Sequence, residues 1–369
     1  MTLTGRLVWV VDWDALEAAG VADARARMPL INYLDSLGFT VEQMAEAERR
    51  GRLFGLAGDV LGWSGPPIHS LTSAAAELGV PVADVERAWT LLGLSVADRD
   101  TPALSHADVD ALATWAAMRD RLGDAVEGFL RVLGATMARL AEAESSMIRI
   151  SQPDVWLGHT QDELITARAW RSTAAFIPRI GAVIDVVHRH HQVSTRTFLE
   201  GLAAGPSAGI VVGVGFADLS GFTALTRVLT YQQLSALLAE FGSTVAEVVQ
   251  ANGSRVVKFI GDEVMWVSST PQQLARTAIE LVTHPDADAA GLRVHAGLAF
   301  GEVVPMLGDY FGNPVNLASR LAHAAGPDQI LITGDLRELL ADSPARELDP
   351  LHLKGFDEPA AVYDLNGTG

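Results

Sequence analysis

Ile210-Val211-Val212-Gly213-Val214-Gly215-Phe216-Ala217-Asp218-Leu219-Ser220-Gly221-Phe222-Thr223 is the stretch from which the rest of the chain can be read. The apolar, β-branched run predicts a strand over 210–217. Small residues then make a turn, and a helical pattern starts near Thr223. Asp218 is thereby placed where a strand ends and a helix begins. A carboxylate there has two readings. It can cap the helix, or it can hold a divalent cation that bridges to phosphate oxygens drawn to the helix N–H groups. The stretch alone does not choose between them.

Downstream, strand and helix patterns alternate. Helices are expected over 222–229 and 231–250, a turn at Asn252-Gly253, and strands over 254–260 and 263–268 about a tight turn at Gly261-Asp262. A helix at 271–283 and a strand at 292–300 follow. Shorter elements come next: a strand near 302–306, a helix at 314–325, a strand at 328–333, a helix at 335–341, and closing strands near 346–353 and 360–365. The order βαββαβ, with one hairpin between two crossover helices, is the ferredoxin-like plan.

Residues 1 to about 203 read differently. Ala- and Leu-rich segments of helical period recur at 41–61, 71–94, 105–121, 123–149 and 161–191, with Gly65-Pro66-Pro67, Gly79-Val80-Pro81 and Gln152-Pro153-Asp154 between them. Seven of the eight tryptophans lie in this half, where they are expected to fill an all-α core. Leu71 to Leu94 has the outline of a helix-turn-helix with Gly79 in the turn. Its second helix would open with two carboxylates and no base, so a packing role is expected. A long helix over 173–200 carries His188-Arg189-His190-His191, three of the ten histidines. A Gly/Pro/Ala/Ser linker follows at 203–209, and the linker helix and linker together cover about 186–208. The expected organisation is an all-helical domain at 1–203 and an α/β domain at 209–369, making an α+β chain.

Composition narrows the function. The formal net charge is −18, which disfavours nucleic acid and anionic membranes as partners, because binding to either rests on neutralising phosphates with Lys and Arg. There is no cysteine, hence no disulfide or thiolate site. No apolar run approaches the ~18 to 20 residues of a membrane span, and Asp12 and Asp14 sit where a signal peptide would be basic. A soluble, cytoplasmic protein is expected. Of the 27 basic residues only two are lysines, Lys258 and Lys354, so a Lys within a strand invites a specific role.

Asp262, at the 254–268 hairpin, supplies a second carboxylate. With strand 254–260 beside strand 210–217, it would lie near Asp218, and two such carboxylates need compensating cations. Lys258 and Asp262, about 13 Å apart at ~3.3 Å per residue, could serve one ligand. In Gly308-Asp309-Tyr310-Phe311-Gly312-Asn313-Pro314-Val315-Asn316-Leu317-Ala318-Ser319-Arg320-Leu321, Asn313 has the place of an N-cap and Pro314 that of the first helical residue. Asn316 and Arg320 then share a face at i and i+4.

Taken together, FADLSGFT at 216–223, VKFIGDEVM at 257–265, LRVHAGLAFGEV at 292–303 and GDYFGNPVNLASRL at 308–321 resemble a class III nucleotide cyclase catalytic domain. The resemblance covers 209–366, nearly half the chain, with a short connection from Gly301 to Asp309. It implies two divalent cations, Mg²⁺ or Mn²⁺, on Asp218, Asp262 and the Leu219 carbonyl. It implies adenine reading by Lys258 and Asp309, and triphosphate contacts from Arg293 and from Ser220, Gly221, Phe222 and Thr223. Asn316 would orient the ribose and Arg320 would stabilise the transition state. The implied substrate is ATP, converted to cyclic AMP and pyrophosphate by a head-to-tail homodimer with two shared sites. The whole layout is similar to the soluble mycobacterial pH-sensing adenylyl cyclases. That likeness implies an autoinhibitory helical domain, with His188, His190 and His191 as candidates for the pH response and room for a lipid or small-molecule effector. A helix-turn-helix regulator that senses nucleotide and a binding-only relative without turnover are the competing readings.

Overall fold

The computed structural model describes residues 11–202, 209–285 and 293–367. It forms two units, Met1–His190 and His191–Gly369, which divide within one long helix.

The first unit is helical. Its longer helices are α1 (Met28–Ser36), α2 (Val41–Arg49), α3 (Leu71–Leu78), α4 (Val82–Leu91), α5 (His106–Leu122), α6 (Ala125–Ser151) and α7 (Glu163–Ala174). The eighth, α8 (Ile177–Leu202), runs on into the second unit. Their starts are written in the sequence: Thr40, Ser70 and Ser105 each close a reciprocal capping box with the residue three positions on. Two cores form. One gathers Leu30, Ile31, Leu34, Met44 and Leu53 with Ala167, and the other gathers Leu71, Val85, Leu104, Leu112 and Trp115. Arg27 ties α7 to the first core through Glu163 at 2.7 Å and Glu48 at 2.8 Å.

Two expectations are corrected here. The tryptophans fill the core only in part: Trp115 is buried and Trp13 and Trp89 pack against the two cores, but Trp63 and Trp156 are 44% and 46% exposed, and Trp9 lies outside the described residues. The pattern over 161–191 is one period but two helices, broken at Ala175-Phe176. The Leu71–Leu91 pair does turn at Gly79, whose φ is +67°. Its second helix is spent on packing, with Val85 and Ala88 buried and Asp84 and Arg87 paired to Arg119 and Glu127. A cavity of about 1010 Å³ opens between Arg52, Trp63, Trp89 and Asp98, a size at which small-molecule sites occur.

The second unit is a sheet clad on both faces. Its strands are β1 (Ile210–Ser220), β2 (Arg255–Ile260), β3 (Glu263–Ser268), β4 (Arg293–Met306), β5 (Asp309–Phe311), β6 (Ile330–Thr333), β7 (Arg346–Glu347) and β8 (Val362–Asp364), and the order is β2-β3-β1-β4-β6-β8-β7 with β5 on β4. The first four strands are in the ferredoxin-like arrangement. The helices are α9 (Tyr231–Ala251), α10 (Pro271–Val282), α11 (Asn313–Ala324) and α12 (Gly334–Leu339). Odd residues of β1, Ala217 and Leu219, face Val245, Val249, Leu274 and Ala278 of α9 and α10. Even residues, Val212, Val214 and Phe216, face Ala318 and Ala322 of α11, with Phe198, Leu199 and Leu202 of α8 against the same cluster. Both faces are dry, which is why β1 reads as a continuous apolar run rather than an alternation.

Strand 254–260 does not pair with strand 210–217. β3 lies between them, because a two-residue hairpin seats β3 directly beside β2 while the α9 crossover leaves one place open next to β1. The split expected at Gly301 is absent too: β4 is one strand of 14 residues, hydrogen-bonded along β1 from Ile210↔Val303 to Ser220↔Arg293. Gly297 on β4 lets α11 sit on the sheet. A Cβ there would overlap Ala322 N and Ala318 O and come within 2.7 Å of the Leu321 carbonyl carbon. Gly297→Val is therefore expected to lower stability by about 3 kcal/mol, read as a shifted midpoint in urea titrations followed by circular dichroism.

Candidate active site

β1 continues through Asp218 to Ser220, so Asp218 projects from the sheet and is not a helix cap. Its Oδ1 accepts the Leu219 N–H at 2.9 Å. Asp262 occupies the β2–β3 turn, where Gly261 takes a φ of +69° that a side chain would strain. It is thus a turn residue and not a strand neighbour of Lys258. The two carboxyls still meet, because β3 is the direct neighbour of β1: burial first, and then the Asp218 carboxyl beside it, push the Asp262 pKa up to about 6. Asp262 therefore keeps its proton up to about pH 6, and a cation can take that proton's place.

The donor set fits a hard divalent cation. It offers oxygen only, two carboxylates beside the Leu219 main chain, and leaves other positions to water and phosphate, as Mg²⁺ sites do. Among the described residues, no group of three or more His, Cys, Asp or Glu is arranged to hold a metal by itself.

Lys258 and Asp309 are brought together from 51 residues apart. The β2–β3 register slips between Val256 and Lys258, a bulge that re-aims the following side chains. Asp309 opens β5, and its Oδ2 takes Lys258 Nζ in an ion pair while Oδ1 accepts the Tyr310 N–H at 2.8 Å. Asn316 and Arg320 stand on the exposed face of α11, without a side-chain hydrogen bond or ion pair among the described residues. Nothing of that kind joins them to Asp218, Asp262, Lys258 or Asp309. The helix is capped at Gly312, one residue before the expected Asn313, and without a side-chain bond.

Arg293 pairs in register with Ser220 and holds Asp328 at 2.7 Å. Phe222 packs into the core beneath the turn, Gly221 is exposed, and only the main chain of Thr223 is described. His188, His190 and His191 are exposed on α8 and make no hydrogen bond or ion pair among the described residues; Asp185 on the same helix binds Arg189 at 3.0 Å.

Three neighbours escaped the sequence reading. His295 lies across from Asp218 and meets Ser220 Oγ through Nδ1 at 2.8 Å; burial lowers its pKa, against the pull of Asp218. Glu263 follows Asp262, and burial raises its pKa, with His323 and Lys258 opposing. His323 stands 3.9 Å from the Glu263 carboxylate. The signals were there: His295 alternates onto the Asp218 face of the sheet, and His323 is i+7 from Asn316 and i+3 from Arg320.

The Adenylate and Guanylate cyclase catalytic domain model matches residues 209–367. An adenylate cyclase of Streptomyces coelicolor is 33% identical over 285 residues, 74% of this chain and 73% of that protein. A pH-sensitive adenylate cyclase of Mycobacterium tuberculosis is 33% identical over 72% of this chain and 68% of that protein. The chain belongs to the class III adenylate cyclase family. An uncharacterized Mycobacterium tuberculosis protein is 61% identical over 96% of the chain and 94% of its own length, so the helical half and the cyclase domain recur together. The crystal structure of adenylyl cyclase CyaB from P. aeruginosa aligns with 44% of this chain and 96% of its own, at 26% identity and a TM-score of 0.40.

The Asp262 shift makes the cyclase domain's metal-free stability depend on pH. Its folded pKa lies above that of an unfolded Asp, ~3.9. The proton is therefore held on folding between about pH 4 and 6, and the stability it brings is lost as pH rises through about 6. In chelator, Asp262→Asn should melt above the parent at pH 7.5 and level with it near pH 4.5, measured by scanning calorimetry.

Proposed function

We propose that the protein converts ATP to 3′,5′-cyclic AMP and pyrophosphate at two equivalent sites shared across a head-to-tail homodimer. The observation that carries this reading is the pairing of Asp218 with Asp262 and of Lys258 with Asp309 in one chain, while Asn316 and Arg320 face outward from it. Such a chain displays a metal-binding half-site and a nucleotide-reading half-site, and a second copy would complete each.

Asp218 and Asp262, with the Leu219 carbonyl, would hold two Mg²⁺ or Mn²⁺ ions, whose chemistry when bound is to acidify the ribose 3′-hydroxyl and neutralise the leaving phosphates. The protein's own groups do the rest. Lys258 donates to adenine N1 and Asp309 accepts from the N6 amino group. Guanine presents the reverse pattern along that edge, and a buried mismatch discriminates strongly. Main-chain N–H groups from Ser220 to Thr223, with Arg293, hold the triphosphate. Asn316 keeps the ribose placed so that its 3′-oxygen lies in line with the α-phosphorus. The new O–P bond forms as the bond to the β-phosphate oxygen breaks, Arg320 offsets the charge that accumulates on the phosphoryl oxygens, and the hydroxyl proton passes to solvent.

We further propose that the helical unit restrains the cyclase unit and that acid relieves the restraint through α8. Protonation of His188, His190 and His191 puts like charges within one helical turn beside Asp185 and Arg189 and biases the helix. Support comes from their place on the helix that runs from one unit into the other, and from the pH-sensitive relative.

Purified protein should release cyclic AMP from ATP, and far less cyclic GMP from GTP, in Mg²⁺ or Mn²⁺; no product from pH 5.5 to 8 would refute the activity. Asp218→Ala and Arg320→Ala chains should each fall at least ~10²-fold. Mixed one to one, they should recover about a quarter of parental activity, since half the dimers then carry one working site of two. Replacing all three histidines with Asn should abolish acid activation, and an unchanged pH profile would reject the helix as sensor.

A further inference from the structure

Glu263 is placed where an acidic side chain is hard to accommodate. Its side chain is 13% exposed, and Oε1 is wholly buried with no hydrogen-bond partner among the described residues. Such an oxygen is costly unless charges around it compensate. The β1–β3 register, one step beyond Ala217↔Val264, sets Glu263 opposite Asp218. The β2–β3 register pairs Glu263 with Ile260 and puts Lys258 two residues further along the same face. From above, α11 lowers His323 to 3.9 Å from Oε1, its Nδ1–H donating to the Ser319 carbonyl at 2.8 Å.

One carboxylate therefore abuts three elements: the strand of Asp218, the strand of Lys258, and the helix that carries Asn316 and Arg320. In a dimer with shared sites these do not serve the same nucleotide. Asp218 belongs to one site, whereas Lys258 and the outer face of α11 belong to the other. We propose that Glu263 is a positioning residue that couples the two active sites, linking the metal carboxylates of one to the base reader and catalytic helix of the other.

This rests on the shared-site reading above. The coupling is electrostatic. With Asp218 and Asp262 uncompensated, Asp218 repels Glu263, and Lys258 and His323 are held by a carboxylate that is itself pushed away. Cations between the two aspartates remove that repulsion, so Glu263 can draw Lys258 and α11 into place for the second nucleotide. By linkage, nucleotide in the second site strengthens metal binding in the first by the same factor.

The test uses the one-site heterodimer formed by Asp218→Ala and Arg320→Ala chains. Its working site takes metals from the Arg320→Ala chain, and Lys258, Asn316 and Arg320 from the Asp218→Ala chain. Glu263→Gln added to the Arg320→Ala chain should raise the Mg²⁺ concentration for half-maximal rate roughly 3- to 10-fold, and weaken Mn²⁺ binding by the same factor when the free ion is followed by electron paramagnetic resonance. Added to the Asp218→Ala chain, it should instead raise KM for ATP several-fold while kcat changes less. An effect from only one chain, or an equal fall in kcat from both without a shift in Mg²⁺ or KM, would overturn the coupling. If Glu263→Gln does not fold, His323→Asn is read in the Arg320→Ala chain: a shifted Mg²⁺ requirement supports the proposal and an unshifted one overturns it. A heterodimer that is inactive before any change at Glu263 refutes the shared site, and the coupling with it.

Discussion

Asp218 and Asp262 come together at the end of β1, a strand hydrogen-bonded along both edges. β1 is held to β3 on one side and β4 on the other, so the height at which Asp218 leaves the sheet is fixed by backbone pairing. Asp262 is held by a turn that Gly261 alone tolerates. The strain of two like charges is thus built in, and it sets what surrounds them. Burial and repulsion raise the Asp262 pKa, Glu263 beside the pair depends on Lys258 and His323 for compensation, and a divalent cation neutralises the carboxylates more strongly than a proton does.

The second constraint is the approach of α11 to the sheet. Gly297 permits that helix to sit with its backbone nearly on β4, with Ala318, Leu321 and Ala322 buried beneath it. Once those residues are committed inward, Asn316 and Arg320 have no choice but to face away, by helical period alone. His323, farther along that face, reaches Glu263. Packing therefore separates the groups by element: carboxylates at the sheet, the Lys258–Asp309 pair at the rim by β5, and the Asn/Arg pair on the outside of a helix.

Much of this was legible in residue order. The Gly79 turn, the Gly261-Asp262 hairpin and the helix carrying Asn316 and Arg320 are local features, with chemistry that acts over three or four residues. What was misjudged depends on neighbours far along the chain. The strand from Ile210 was expected to stop at 217, but pairing with β4 carries it to Ser220 and turns Asp218 from a candidate cap into a sheet residue. Gly301 was taken as a break, yet a strand paired along its length to β1 passes through it. The tryptophans of the helical half looked like core by composition, but Leu30, Ile31, Leu34, Leu71 and Leu112 form most of it, with Trp115 buried among them.

By itself, the sequence determined the two-part build, the βαββαβ order, the family and the six residues on which the chemistry is proposed to rest. Those depend on periodicity, turn chemistry and motif spacing, which a linear chain carries in full. Only the tertiary structure decided that β3 separates β1 from β2, that Lys258 closes on Asp309, and that Glu263, His295 and His323 gather around the carboxylates. Each of those is a contact across sheet register or helix packing, where one residue of slip would exchange one face for the other. Nothing in the residue order alone states which face that is.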